Sequence, residues 1–168
     1  HLLPELVESV RQCLQDADSK YMVDAYCGIG FFSLSLAALV EGFVGIDIDK
    51  QCILPARRNL EERGHTNGEF LLGKTEEHMN ELLERFPANE TTIILDPPRK
   101  GCHQEGLDML VEANPRQVIY VSCHPATLAR DLKWLCENGY TVKSVTPLDM
   151  FPQTQHVECV ADLRRADS

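Results

Sequence analysis

"TTIILDPP", residues 91–98, is an apolar run with no alternation, closed by an acid and two prolines. A strand with one wet face alternates apolar and polar residues; an unbroken run fits a strand covered on both faces. "RQVIYVSC", 116–123, is of the same kind. Working outward, "YMVDAYCGIG" (21–30) runs into a glycine turn, "GFVGIDID" (42–49) follows as a second strand, and "GEFLLG" (68–73) as a third. Helical spacing fills the gaps, with amphipathic stretches over about 3–16, 50–63, 76–86, 104–113 and 125–138, and an apolar helix after Gly30. Pro55 is awkward inside its helix and predicts a kink or a late start. Pro125 fits a first helical turn, and Gly139 a helix end.

Strand and helix therefore alternate five times. The tail breaks the rhythm, because "YTVKSVTPLDMF" (140–151) and "HVECVADL" (156–163) are strands joined by a loop. The expected fold is α/β, a doubly wound, mostly parallel sheet of Rossmann-like type with an antiparallel C-terminal edge. At 168 residues the chain makes one domain with a core of its own.

Composition narrows the function. Hydrophobic residues make up 43% and charged residues 25%, and no apolar run approaches the roughly 20 residues of a membrane span. The seven cysteines are odd in number and never in CxxC spacing, which argues against a disulfide framework or a zinc site. Reduced thiols point to an intracellular protein. A net charge of −10 argues against a general nucleic-acid-binding face.

In such sheets ligands bind beyond the carboxyl ends of the strands. Those ends read "DAYCGIG", "GIDID", "GKTEE", "LDPPRKG" and "VSCHP". Gly28 and Gly30 let backbone approach a ligand, but Ser33 stands where a third glycine would complete a dinucleotide fingerprint. Asp47, at the second strand's end, suits a ribose diol; helix capping is the competing role, and Asp49 is assigned to capping. The prolines after Asp96 make a stiff loop that can hold Asp96 and Arg99 against a ligand. Cys123 ends a buried strand just before a helix start, where the helix dipole lowers a thiol's pKa; Arg130 and His124 are near it in sequence. Cys13, Cys52 and Cys136 read as inert packing, and Cys27, Cys102 and Cys159 as structural. Arg57 and Arg58 read as a solvated helix face.

"DAYCGIGFFSL", "LDPPRKGC", "VSCHPATLARDL" and "DMFPQTQHVE" resemble, in order and spacing, the RNA (uracil-5-)-methyltransferase family over about 21–160. The resemblance implies a class I S-adenosylmethionine-dependent fold and methyl transfer to C5 of uridine in tRNA or rRNA. It implies a nucleophile at Cys123 and a proton acceptor at Glu158, with cofactor contacts at Tyr26, Gly28, Gly30, Asp47 and Asp96. Relatives often carry glutamate at the Asp47 position. Some place a polar contact where Phe31 stands, so any contact there is backbone or apolar. "GKTEE" falls near the adenine, with Glu76 the candidate contact. Arg99, Phe151 and Gln153 are candidates for the substrate base pocket.

His156 shares a strand face with Glu158 and is expected to pack there. No metal is implied. Opening on His1, the chain reads as the catalytic piece of a longer protein, without the family's RNA-binding regions and its upstream cofactor-binding glutamine. RNA would then be held weakly, with Arg99, Lys100, Arg130 and Lys133 near the substrate mouth. Three alternatives stay open: a cofactor-binding module inactive by itself, a methyltransferase acting on another base or amino group, and a dehydrogenase.

Overall fold

The computed structural model describes residues 3–150, 153–154 and 156–166. Helix α1 (Leu3–Ala17) precedes β1 (Tyr21–Ala25), α2 (Phe31–Leu36, extended by a 3-10 turn), β2 (Gly42–Asp47) and α3 (Lys50–Arg63). Then come β3 (Gly68–Leu72), α4 (Thr75–Arg85), β4 (Thr91–Leu95), α5 (Gln104–Ala113), β5 (Gln117–Ser122), α6 (Pro125–Glu137), β6 (Tyr140–Leu148) and β7 (Glu158–Arg165). The strand order is β3-β2-β1-β4-β5-β7-β6; the first five strands are mutually parallel and β7 runs antiparallel to both its neighbours.

The unbroken apolar strands are indeed covered twice. Every residue of β4 and β5 is buried. Ile93, Leu95, Val118 and Tyr120 face a core shared with α4, α5 and α6. Their alternates Ile94, Ile119 and Val121 face a second core under α1, α2 and α3. The polar residues buried in these strands are paired, as burial requires: the Thr92 hydroxyl donates to Gln117 Oε1 at 2.7 Å, and Gln117 Nε2 donates to Asp162 Oδ1 at 2.9 Å.

The last two strands form the antiparallel edge, with the later strand, β7, inserted between β5 and β6. Helix α3 does not start late. Asp49 caps it by accepting the Gln51 N–H at 2.8 Å, and the helix runs through Pro55 to a left-handed Gly64. Arg57 is more than a solvated cation, since its guanidinium donates to the Phe70 carbonyl at 3.0 and 3.1 Å.

Candidate active site

The carboxyl ends of the parallel strands open into a cleft of about 720 Å³, a volume suited to a nucleoside-sized molecule. It is lined by Ala25 and Tyr26 where β1 ends, residues 46–48 where β2 ends and residues 73–76 after β3. The Asp-Pro-Pro loop and the start of α5, including Gln104, Gly106 and Met109, form the other wall. Tyr26, Asp47, Glu76 and Asp96 thus meet around one space.

The chain turns sharply at the end of β1. Tyr26 (φ +60), Gly28 (+56) and Gly30 (+90) are all left-handed, a conformation that strains a tyrosine and suits glycine. Asp47 holds this turn, accepting the Gly28 N–H at 2.9 Å on one oxygen and the Asp49 N–H at 2.9 Å on the other. Gly30 has another reason to lack a side chain: a Cβ there would lie 2.7 Å from the Phe70 ring. It is buried against that ring, and neither glycine lines the cleft. Phe31 is 38% exposed at the start of α2 and packs edge-on against Phe32.

Carboxylates set the electrostatics. Asp24 is fully buried; its Oδ2 accepts both the N–H (3.1 Å) and the hydroxyl (2.5 Å) of Ser33, while its Oδ1 has no hydrogen-bond partner among the described residues. Burial pushes its pKa up to about 7 against the pull of Ser33. Asp96 is also pushed up to about 7, by desolvation and then by the charges of Asp24 and Glu158. Its surface is open to the cleft although protein crowds it on its other sides, and the two neighbouring acids push in the same direction. Glu158 is half-buried and its pKa is raised by that burial.

Cys123 is half-buried and follows β5 directly. In the β5–β7 ladder Ser122 pairs with Cys159, and in the β6–β7 ladder Leu148 pairs with Glu158. Cys123, one residue beyond Ser122, and Glu158, one residue before Cys159, therefore sit at the same end of the sheet. Glu158 is also close enough for its charge to be felt at Asp96, in the cleft wall. The neighbours named for the thiol are engaged elsewhere. His124 Nδ1 accepts the Thr127 N–H at 3.3 Å as a helix cap, and Arg130 pairs with Asp131 at 3.0 Å.

Other expectations fare unevenly. Arg99 is exposed, and Gln153 is exposed in a left-handed turn (φ +72); Phe151 lies outside the described residues. His156 is exposed. Cys27, Cys102 and Cys159 are buried, but Cys136 is exposed, and Cys13 and Cys52 are only partly covered. The α5 wall of the cleft was not foreseen. Its one signal in sequence is Gly106 within a helical run, where a Cβ would stand 3.3 Å from Glu76 Oε1.

Among the described residues, no helix is long and apolar enough to cross a membrane.

Comparison with known proteins is consistent. The family profile described as tRNA (Uracil-5-)-methyltransferase matches residues 2–166. An uncharacterized RNA methyltransferase of Clostridium acetobutylicum is 45% identical over 144 residues, 86% of this chain and 31% of that protein. One from Thermosynechococcus vestitus is 42% identical over 94% of this chain and 34% of its own length. The chain thus spans about a third of the curated relatives it matches. Among solved structures, the tRNA (uracil-54, C5)-methyltransferase of Pyrococcus abyssi, in complex with S-adenosyl-L-homocysteine, superposes with a TM-score of 0.81 at 33% identity; the match covers 97% of this chain and 38% of that one. An rRNA methylase of Streptococcus thermophilus, at 15% identity and TM-score 0.68, shares the fold.

Proposed function

The chain belongs to the tRNA (uracil-5-)-methyltransferase family, and we propose that it is the catalytic part of an enzyme that methylates C5 of uridine in RNA, using S-adenosylmethionine. The cleft fits that cofactor. Its size is right, Asp47 offers carboxylate oxygens to a ribose diol, and the Asp96 carboxyl in its wall suits a ligand that carries positive charge. Tyr26, Asp47 and Asp96 would hold the cofactor, with Gly28 and Gly30 shaping the turn beneath it and Phe31 beside it. S-adenosylmethionine supplies the electrophilic methyl group.

Uracil C5 is a poor nucleophile. Addition of the Cys123 thiolate at C6 moves electron density into the ring, so that C5 can take up the methyl. Glu158 then removes the C5 proton, C5=C6 re-forms, and the thiolate leaves. Covalent catalysis of this kind replaces one hard step with easier ones. The observation that carries the reading is that Cys123 and Glu158 stand at one end of the paired strands β5 and β7, with Glu158 near Asp96 in the cleft wall. An amine methyltransferase would have no use for that pair.

RNA is the proposed partner. Arg99 and Gln153, together with Phe151, are assigned to the substrate side. The net charge of −10 supports weak, salt-sensitive affinity for RNA in this segment. The test uses the full-length protein and its Cys123→Ala variant, each mixed with S-adenosylmethionine and RNA containing 5-fluorouridine. Fluorine at C5 cannot leave as a proton, so the thiolate adduct should survive a denaturing gel in the wild type and vanish in the variant. A wild type that binds cofactor and RNA but gives no shifted band would remove Cys123 from this role.

A further inference from the structure

The Asp-Pro-Pro loop is poorly equipped to hold itself. Pro97 and Pro98 have no N–H, so the segment from Asp96 to Cys102 cannot build a continuous ladder of its own. Helix α6 supports it instead, through three side chains at i, i+3 and i+4, which share one helix face. Thr127 Oγ1 donates to the Arg99 carbonyl at 2.9 Å, and Arg130 Nη2 donates to the Lys100 carbonyl at 2.9 Å. Asp131 Oδ2 accepts the Cys102 N–H at 3.0 Å.

Asp131 is fully buried and fully used. The same Oδ2 takes the Tyr120 hydroxyl at 2.6 Å, and Oδ1 takes Arg130 Nε at 3.0 Å. Loop, helix α6 and strand β5 therefore converge on one carboxylate. The contact is also close. Gly101 is left-handed (φ +80), and a Cβ there would lie 2.6 Å from Arg130 Nη2 and 2.7 Å from Asp131 Oδ2. A buried charge is a poor way to gain stability, and well-packed apolar residues often do as well. What it does supply is a fixed arrangement. At one end of the clasped loop stands Asp96, in the cleft wall; between β5 and α6 stands Cys123.

We infer that Thr127, Arg130 and Asp131 are positioning residues that clasp the Asp96–Cys102 loop onto α6 and so hold the cofactor wall in register with the nucleophile. The inference rests on the uridine-methylation reading for its kinetic consequence, but the clasp itself can be measured without it. The experiment takes the full-length protein with Thr127→Val, Thr127→Ser, Gly101→Ala and Asp131→Asn. It records Tm, S-adenosylhomocysteine affinity, amide hydrogen exchange at Gly101 and Cys102, and single-turnover methyl transfer at saturating RNA and cofactor.

Thr127→Val should speed exchange at those amides by about fivefold, the effect of losing one ordinary hydrogen bond. It should slow single turnover by a similar factor, with Tm lowered by only a few degrees and S-adenosylhomocysteine affinity unchanged, and Thr127→Ser should restore exchange and turnover. Gly101→Ala and Asp131→Asn should act the same way more strongly. Should either of these fail to fold, the Thr127 pair decides. Unchanged exchange and turnover in Thr127→Val overturn the clasp. So does a loss of turnover that merely follows loss of folded protein or of cofactor affinity. If the wild type methylates no uridine, the functional reading fails while the exchange data still decide the clasp.

Discussion

Ser122 pairs with Cys159 as the last rung between β5 and β7, which leaves Cys123 and Glu158 as the next residues outward on adjacent strands. In the proposed reaction a thiol that adds to a ring and a carboxylate that later deprotonates it must reach the same small molecule, and this pairing would supply both from one sheet end. Glu158→Gln should keep S-adenosylhomocysteine affinity and still form the adduct, because neither needs the base. Turnover should fall by roughly 10²–10⁴-fold, the usual contribution of a general base, and a methylated covalent RNA–protein species should build up on ordinary uridine. A denaturing gel with labelled RNA reads this directly. Wild-type turnover in Glu158→Gln would assign the proton to another group. Since burial raises the Glu158 pKa, the acid limb of the rate profile should lie above that of a free glutamate.

Asp96 should make cofactor affinity depend on pH. Its pKa is pushed up to about 7 by desolvation and by Asp24 and Glu158, so much of it is neutral below that pH and cannot attract a cation. S-adenosylmethionine affinity should therefore rise between pH 6 and pH 8, by at most tenfold per unit for one coupled proton. S-adenosylhomocysteine, which lacks the sulfonium charge, should show a shallower rise. Calorimetric titration of both ligands checks this. Asp96→Asn should flatten both curves; an unchanged slope in that variant would place the titrating group elsewhere.

Asp24 should be visible in stability rather than in binding. Its folded pKa of about 7 lies above the ordinary value of 3.8, so the folded state holds a proton that the unfolded chain releases. The sign follows: stability is fully present below about 4, falls as pH rises through 7, and is then level. The loss over that window is on the order of a few kcal/mol. Urea unfolding of the wild type and Asp24→Asn from pH 5 to 8.5 isolates it, because the variant still offers an oxygen to Ser33 but cannot ionise. The difference between the two curves should change with pH. A constant offset would mean that Asp24 stays ionised throughout.

What the sequence reveals here follows from the range of each interaction. β4 and β5 are legible because burial on both faces is written into consecutive residues. Asp47 and Asp96 are legible because each ends such a strand. The insertion of β7 between β5 and β6 has no local signal, since either order leaves an antiparallel edge of similar composition. The α5 wall of the cleft depends on how a helix face is turned, and only Gly106 marks it. The exposed Cys136 was assigned to packing from residue type alone, which says nothing about the helix face it occupies. Gly30 has a second reason to lack a Cβ that no local pattern shows, because the ring of Phe70, forty residues away in sequence, fills that space.

Phe70 therefore links the core to the turn after β1, and this link can be tested. Its ring would be 2.5 Å from a Cβ on Gly45 and 2.7 Å from one on Gly30. Gly45 sits inside β2, paired with both β1 and β3, so its backbone cannot easily retreat. Gly45→Ala must displace the ring, at a cost of about 1–3 kcal/mol for overpacking a close-packed core. The displaced ring presses on the Gly30 turn, whose geometry Asp47 holds through the Gly28 N–H. S-adenosylhomocysteine affinity should then fall several-fold although no ligand contact has changed. Trimming the ring in Gly45→Ala/Phe70→Leu should return part of the affinity, and urea unfolding should give a double-mutant coupling well away from zero. Lost stability with unchanged affinity would confine Phe70 to the core and free the turn from it.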